Sequence, residues 1–228
     1  MNMKVLCAFV AAVSVVSFVH AEEELLLKPK TGTGRVTIVN AQTKVGNADL
    51  ESIAALFASE TGCNFTIGDK VDGASLWLKV INDPQKPVML LAPEDHWGEV
   101  NVAKVVDDLK NDKAKEKFLV PRTRKLIIKA LSLLCGGGSS QFPGNIMNTA
   151  TVRELDYIQE QIPVDMVDNY NRYLDRIGVT RRVMMPYLEA CVEGWAPAPT
   201  NDAQKAIWNE VKNPATRWDK DFGGKQKK

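Results

Sequence analysis

The stretch Arg122–Met147 has the sequence RTRKLIIKALSLLCGGGSSQFPGNIM and decides how the rest of the chain is interpreted. Its first half spaces apolar residues along one face of a helix, namely Leu126, Ile127, Ala130, Leu131 and Leu134. Pro121 suits the first turn of such a helix, and Gly136–Gly138 ends it, because glycine commonly follows the last helical residue. We therefore predict a buried central helix that ends at Cys135 and is followed by a loop.

The N-terminal half is predicted to form a mixed sheet. Short β-branched or apolar segments bounded by turn residues predict four strands and a weaker fifth, at Arg35–Asn40, Cys63–Ile67, Ala74–Ile81, Val88–Ala92 and Glu99–Val102. Between the first two, Asn47–Thr61 carries apolar residues at helical spacing and stops at Gly62, which predicts a helix.

The C-terminal half is predicted to be mainly helical. Helices are expected at Val102–Leu109, after the capping box Thr151–Glu154, at Pro163–Ile177, at Arg182–Glu193 with an interruption or start near Pro186, and at Asn201–Val211. Lys110–Lys117 is interpreted as a solvated run of charge. Strands first and helices later, around a buried central helix, indicate an α/β (α+β) fold.

The first 21 residues, Met1–Ala21, have the three parts of a secretory signal peptide. Lys4 gives a positive start, Val5–Val19 is an uncharged apolar run, and small or tolerated residues precede three glutamates. The apolar run of 15 residues is short for a membrane span, which needs about 20. We expect a secreted or periplasmic protein with no membrane insertion after cleavage.

The rest of the chain is expected to consist of a linker at 22–34, a single globular domain at 35–222 and a frayed basic tail at 223–228. One of the 29 lysines and arginines lies in the signal, which leaves 28 against 28 acidic residues. A neutral balance gives no electrostatic reason to expect nucleic acid as a partner. The sequence does not indicate an oligomeric state.

The layout of the central stretch resembles that of the metzincin peptidases, and most closely the archaemetzincins. The archaemetzincin signature is H-E-x-x-H-x-x-G-x-x-H-C, four residues, C-x-M, seventeen residues and C-x-x-C. With Gly136 on the signature glycine, Met147 falls on the methionine without a gap. The resemblance covers about 35–177 and implies a metzincin-like fold. An ordinary amphipathic helix with a glycine cap explains the same residues without the resemblance.

In this frame the metal ligands of the family are replaced. The first histidine, the glutamate and the second histidine correspond to Lys129, Ala130 and Leu133, and the third histidine corresponds to Ser139. The four cysteines of the structural zinc site correspond to Ser140, Asn145, Asp165 and Asp168. The resemblance therefore implies degenerate zinc motifs, and we expect no cofactor.

Histidine is scarce in the whole sequence, which has only His20 and His96. His20 lies in the predicted signal, so one imidazole is left. A catalytic zinc usually takes three protein ligands, most of them histidines, and a base near its bound water. Zinc proteolysis with three histidines is therefore excluded.

Two other kinds of site were weighed against structural interpretations. Glu94, Asp95 and His96 could perform acid–base chemistry, and Cys135 could be a nucleophile, which would give a metal-independent hydrolase. Cys135 is predicted at a helix C-terminus, where the dipole disfavours a thiolate. Asp165 and Asp168 could hold a weak cation, although acids that complement a helix N-terminus explain them more simply.

The remaining features leave alternatives open. Cys63, Cys135 and Cys191 allow one disulfide whose pairing the sequence does not determine. The stretch EGWAPAPTN at 193–201 is similar to segments of a family of exported bacterial proteins, which implies no activity. We expect a non-catalytic metzincin-like pseudo-peptidase whose cleft binds a peptide or an envelope protein. The alternatives are the metal-independent hydrolase and a structural envelope component.

Overall fold

The computed structural model describes residues 25–29, 32–41, 43–71 and 73–213. The predicted signal peptide Met1–Ala21 and the predicted basic tail lie outside these residues. The described residues fall into two compact units, one at 27–184 and the other containing 185–213. No helix within the described ranges combines the length and the apolar character that a membrane crossing requires.

A mixed sheet of five strands forms the centre of the first unit. The strands are β2 (Arg35–Asn40), β3 (Phe65–Gly68), β4 (Ala74–Ile81), β5 (Met89–Ala92) and β6 (Trp97–Asn101). Their order is β3-β2-β4-β6-β5; only β5 is antiparallel to its neighbour. Four consecutive residues of β2 are buried, as expected for a parallel strand that is covered on both faces. The predicted mixed sheet is confirmed.

Six α-helices are present in the described part of the chain: α1 (Asn47–Thr61), α2 (Val102–Val105), α3 (Asp112–Leu134), α4 (Val167–Arg176), α5 (Tyr187–Val192) and α6 (Asp202–Lys212). A second sheet pairs β1 (Leu25–Pro29) with β7 (Arg182–Pro186). The predicted α/β class is confirmed.

The central helix is longer than predicted. It begins at Asp112 rather than at Pro121, because the side chain of Asn111 caps it by accepting a hydrogen bond from Lys113 N at 2.8 Å. The segment DKAKEK that follows consists largely of good helix formers. Most of the charged run Lys110–Lys117 is exposed, as predicted, but it is helical from Asp112 onward, and Pro121 lies inside the helix.

Several other element predictions were wrong in part. Arg182–Pro186 is a strand and the helix starts only at Tyr187, because Pro186 precedes it in an extended conformation. A strand occupies 25–29 within the predicted linker. The helix predicted from Val102 ends at Val105. After the capping box only a 3-10 turn forms, at Glu154–Tyr157, although the Glu154 carboxylate does accept a bond from Ala150 N at 2.7 Å.

The core lies between α3 and the sheet. The five apolar residues that predicted the helix are all buried: Leu126, Ile127, Ala130, Leu131 and Leu134. Gly98 of β6 lets the helix come close, because a Cβ there would lie 2.6 Å from a methyl of Leu91 and 3.2 Å from one of Leu134. The end of α3 is thereby fixed against the sheet.

Candidate functional site

The end of α3 has the glycine turn that the sequence predicts. Gly136 has a φ of 81°, and its N–H donates to Leu133 O, while Gly137 N donates to Ser132 O at 2.8 Å. This pair of bonds is the Schellman motif, which places glycine directly after the cap residue Cys135. Farther along, Met147 is buried in a 3-10 turn at Ile146–Asn148 that belongs to the same core.

Lys129, at the position of the first histidine, is bound to protein groups. Its Nζ donates to the carbonyl oxygen of Thr149 and, at 3.1 Å, to Thr149 Oγ1. Burial lowers the pKa of Lys129, and the charge of Glu154 partly offsets that effect. The ammonium group therefore joins α3 to the segment after Met147, where a metal ligand would instead require a free lone pair.

The other positions of the catalytic motif hold no strong metal donor. Ala130 is fully buried, Leu133 is half-buried and Ser139 is exposed. Among the residues that the structure describes, no three His, Cys, Asp or Glu side chains are grouped so that they could hold a metal ion. The residues at this site do not fit a zinc ion, which requires nitrogen, sulfur or carboxylate ligands.

Two of the structural-zinc positions do lie together. Ser140 Oγ donates to Asp165 Oδ2 at 2.8 Å, and Gln141 N donates to the same oxygen at 3.3 Å. Asn145 is buried and its Oδ1 accepts from Met147 N, whereas Asp168 is exposed in the first turn of α4. The hydrogen bond between Ser140 and Asp165 thus joins the loop after α3 to the 3-10 helix Val164–Met166.

His96 has a strained backbone and a fixed ring. Its φ is 60°, in the left-handed region, and its Nδ1 lies 2.6 Å from the hydroxyl of Tyr173. The Tyr173 hydroxyl also lies 3.2 Å from Pro93 O, and the direction of the His96–Tyr173 hydrogen bond depends on the tautomer of the ring. Burial raises the pKa of Tyr173. The hydrogen bond between His96 and Tyr173 thus joins the β5–β6 connection to α4.

The candidate acid–base and nucleophilic groups do not converge on one cavity. Glu94 and Asp95 are exposed, whereas Cys135 is 1% exposed and its pKa is raised by burial. None of Glu94, Asp95, His96 and Cys135 lines either of the two cavities described next. Cys63, Cys135 and Cys191 are free thiols in the described part of the chain. Cys63 Sγ lies 2.9 Å from Thr61 Oγ1, and burial raises the pKa of this thiol to about 11.

A groove of about 1080 Å³ lies beside β3, at the edge of the sheet. One wall is α1, with small side chains at Ala54, Ala55 and Ala58, and the other is the strand itself. The segment 181–184 closes one end, where Arg182 and Met184 are exposed. The sequence did not point to this groove, because the position of β3 at the edge depends on strand order, which local patterns do not encode.

A second cavity of about 460 Å³ lies near the loop after α3. It is lined by uncharged residues, among them Phe142, Tyr157 and Val164, each more than half exposed. Phe142 lies in the predicted loop after the central helix, Tyr157 lies after the capping box, and Val164 lies in the helix predicted at Pro163–Ile177. The alternation of Tyr157, Gln159 and Gln161 along an extended segment could have indicated an outward face.

Comparisons with known proteins give structural likenesses only. No family model and no curated protein matches the chain. The structure is similar to that of archaemetzincin from Methanopyrus kandleri, with a TM-score of 0.49 and 10% identity over 63% of this chain and 97% of that one. It is also similar to a zinc-dependent peptidase from Methanocorpusculum labreanum, with a TM-score of 0.43 and 13% identity over 60% of this chain and 100% of that one.

The first of these structures is an archaemetzincin, the family that the sequence resemblance names. Both TM-scores are below 0.5 and both identities are low, so neither match assigns an activity to this chain.

Proposed function

We propose that this protein is an exported, non-catalytic domain, a pseudo-peptidase that binds a peptide or an extended segment of an envelope protein. The set of side chains on α3 carries this proposal. Lys129, Ala130 and Leu133 occupy the positions of the first histidine, the glutamate and the second histidine, and the Lys129 amine donates to Thr149. Lysine, alanine and leucine supply neither a zinc ligand nor a base for a bound water.

The groove beside β3 supports the binding half of the proposal. Its volume is about 1080 Å³, which is at the upper end of the range for ligand sites in proteins. It is long and open and has mostly small or apolar walls, which suits a chain segment better than a compact metabolite. A structural envelope component would not require such a groove.

A metal-independent hydrolase is less well supported. A cysteine nucleophile needs thiolate character and a base within about 3 Å, and Cys135 is buried with a raised pKa. His96 Nδ1 is hydrogen-bonded to Tyr173, and the carboxylates beside it are exposed.

Peptide cleavage tests the non-catalytic half. The purified protein is incubated with a random decapeptide library, alone and with Zn²⁺, Co²⁺ or Mn²⁺, and fragments are sought by mass spectrometry. We expect no cleavage above the level of heat-denatured protein. Metal-dependent fragments that accumulate in proportion to protein concentration would refute the proposal.

Export is tested separately. The full chain is expressed in a bacterium, the cells are fractionated, and the N-terminus of the product is sequenced. We expect mature protein outside the cytoplasm that begins at Glu22. Uncleaved protein that begins at Met1 and stays in the cytoplasm would contradict this part.

A further inference from the structure

The main chain of β3 has a free outer side. β3 is the last strand of its sheet, and β2 is its only neighbour among the described strands. Val36 N of β2 donates to Asn64 O at 3.0 Å, and Asn64 N donates to Thr180 O at 3.1 Å. Thr180 in turn donates to Gly34, the residue before β2, so both peptide groups of Asn64 point to the β2 side. Peptide groups alternate in direction along a strand, so those of Phe65 and Ile67 point outward.

The outward groups face open space rather than another element. Phe65 and Ile67 both line the groove between β3 and α1. Ala55 and Ala58 on α1 leave room beside the strand, since neither side chain reaches far from its helix. The strand carries no proline, lysine or bulge that would block an additional strand, although such devices commonly protect an exposed edge.

Three charged side chains on the groove walls form no salt bridge within the described part of the chain. Glu51 and Glu60 are exposed on α1, and Arg182 is exposed at the end closed by 181–184. The salt bridges within the described residues include none of the three. The helix wall is therefore acidic and one end of the groove is basic.

We propose that β3 accepts an extended peptide from another protein as an added sixth strand. The peptide would form main-chain hydrogen bonds with Phe65 and Ile67. It would place apolar side chains against Ala55 and Ala58, a basic side chain towards Glu51 and Glu60, and an acidic one towards Arg182. Main-chain bonds supply affinity in this mode, and alternate side chains supply specificity. This inference rests on the proposed binding function and names its site.

The probe is a library of acetylated decapeptides. Odd positions vary among Val, Ile and Thr, and even positions vary among Lys, Ser and Asp. Immobilised protein is used to enrich binders, which are sequenced and measured in solution by fluorescence anisotropy. We expect the enriched peptides to carry lysine at one particular even position in most cases, against about one third in the unselected library. Exchange of that lysine for glutamate should weaken binding about tenfold, because it repels Glu51 and Glu60.

Two alanines of α1 give matched variants. Ala55 lines the groove, whereas Ala48 is exposed on the same helix two turns earlier and does not line it. We expect Ala55→Trp to fill the groove and weaken peptide binding at least tenfold. Ala48→Trp should leave binding within about twofold, because residue 48 does not line the groove. Circular dichroism shows whether both variants keep the fold.

N-methylation of the peptide tests the main-chain bonds. Methyl groups on the alternate nitrogens that face β3 should weaken binding about fivefold to tenfold each, while methylation in the other register should have little effect. Equal effects in both registers would overturn strand addition.

The remaining outcomes are distinguishable. Peptides that bind equally well to Ala55→Trp would place the binding site elsewhere, which overturns this inference and leaves the proposed function standing. No enriched peptide at all would overturn both. A concentration-dependent dimer in analytical ultracentrifugation that Ala55→Trp abolishes would show that a second copy covers β3. That result would also contradict the proposal that β3 binds a peptide of another protein.

Discussion

At the scale of single residues, the neighbours of a side chain decide its role. Lys129 is an amine that bridges α3 to Thr149, and His96 is a ring that bonds Tyr173. Cys135 is a thiol with no charged partner in its surroundings to lower its pKa. The sequence identified all three positions. Their contacts could not be predicted, because Thr149 and Tyr173 are 20 and 77 residues away along the chain.

Thiol reactivity tests the structural interpretation of Cys135. The pKa of Cys63 is raised to about 11 and that of Cys135 is also raised, both by burial. At pH 8 only about one in a thousand Cys63 side chains is a thiolate. In a Cys7→Ser background we expect iodoacetamide to modify Cys191 in the native state, and Cys63 and Cys135 only after unfolding. Peptide mapping by mass spectrometry gives the order.

Modification of the thiols in the opposite order would support the alternative of a metal-independent hydrolase. Modification of Cys135 before Cys191 in native protein requires a reactive thiolate that burial does not provide. Guanidinium-unfolded protein is the control, in which all three thiols should react at similar rates.

At the scale of elements, apolar spacing predicted the buried face of α3 correctly but misplaced its start. The five apolar positions after Pro121 define the face, whereas the helix begins with Asp112–Lys117, in which only Ala114 is uncharged. Their helical state depends on the Asn111 cap and on continuity with the buried part. Proline is uncommon inside a helix and common in its first turn, which is why the sequence predicted that the helix starts at Pro121.

Pro121 gives a prediction about the stability of α3. The residue is exposed and lies in the tenth position of the helix, where proline removes one hydrogen bond. We expect Pro121→Ala to raise the free energy of unfolding by about 1–3 kcal/mol, since it restores the N–H without loss of packing. Urea unfolding followed by circular dichroism measures it. Pro121→Gly is the control and should gain less, by about 1 kcal/mol, and a decrease with alanine would show that the proline is favourable here.

Arg122 ties α3 to two other segments. Its guanidinium is 1% exposed, bonds Asp108 at 2.6 Å and Asp156 at 2.7 Å, and donates to Val105 O at 3.0 Å. The hydrogen bond from Arg122 holds the pKa of Asp108 below its ordinary value of 3.8. A depressed carboxylate pKa stabilises the fold above that ordinary value, and the stabilisation is lost as the pH falls through the folded pKa.

Replacement of Arg122 by an uncharged residue should therefore change both the stability of the fold and the pH dependence of that stability. We expect Arg122→Met to lower the free energy of unfolding at pH 7 by about 2–4 kcal/mol, because two partly exposed carboxylates lose their partner. Below about pH 4 the difference from the wild type should shrink as the Asp108 carboxylate becomes protonated. Chemical unfolding at a series of pH values measures both effects. A difference independent of pH would assign the loss to packing alone.

At the scale of the whole molecule, the fold class and most elements followed from the sequence, while the groove did not. Hydrophobic periodicity fixes which segments are strands and helices but not which strand ends up at the edge. The order β3-β2-β4-β6-β5 alone leaves the outer side of Phe65–Gly68 free. Ser140 and Asp165 are 25 residues apart in the sequence and are hydrogen-bonded in the structure, a contact that local patterns do not encode.

The replaced ligands are tested most directly by metal content. Wild-type protein and a variant with Lys129→His, Leu133→His and Ser139→His are loaded with Zn²⁺, dialysed and measured by inductively coupled plasma mass spectrometry. We predict less than about 0.1 zinc ion per chain in the wild type and about one in the variant, because three histidines restore a zinc ligand set. About one tightly held zinc ion per wild-type chain would contradict the account.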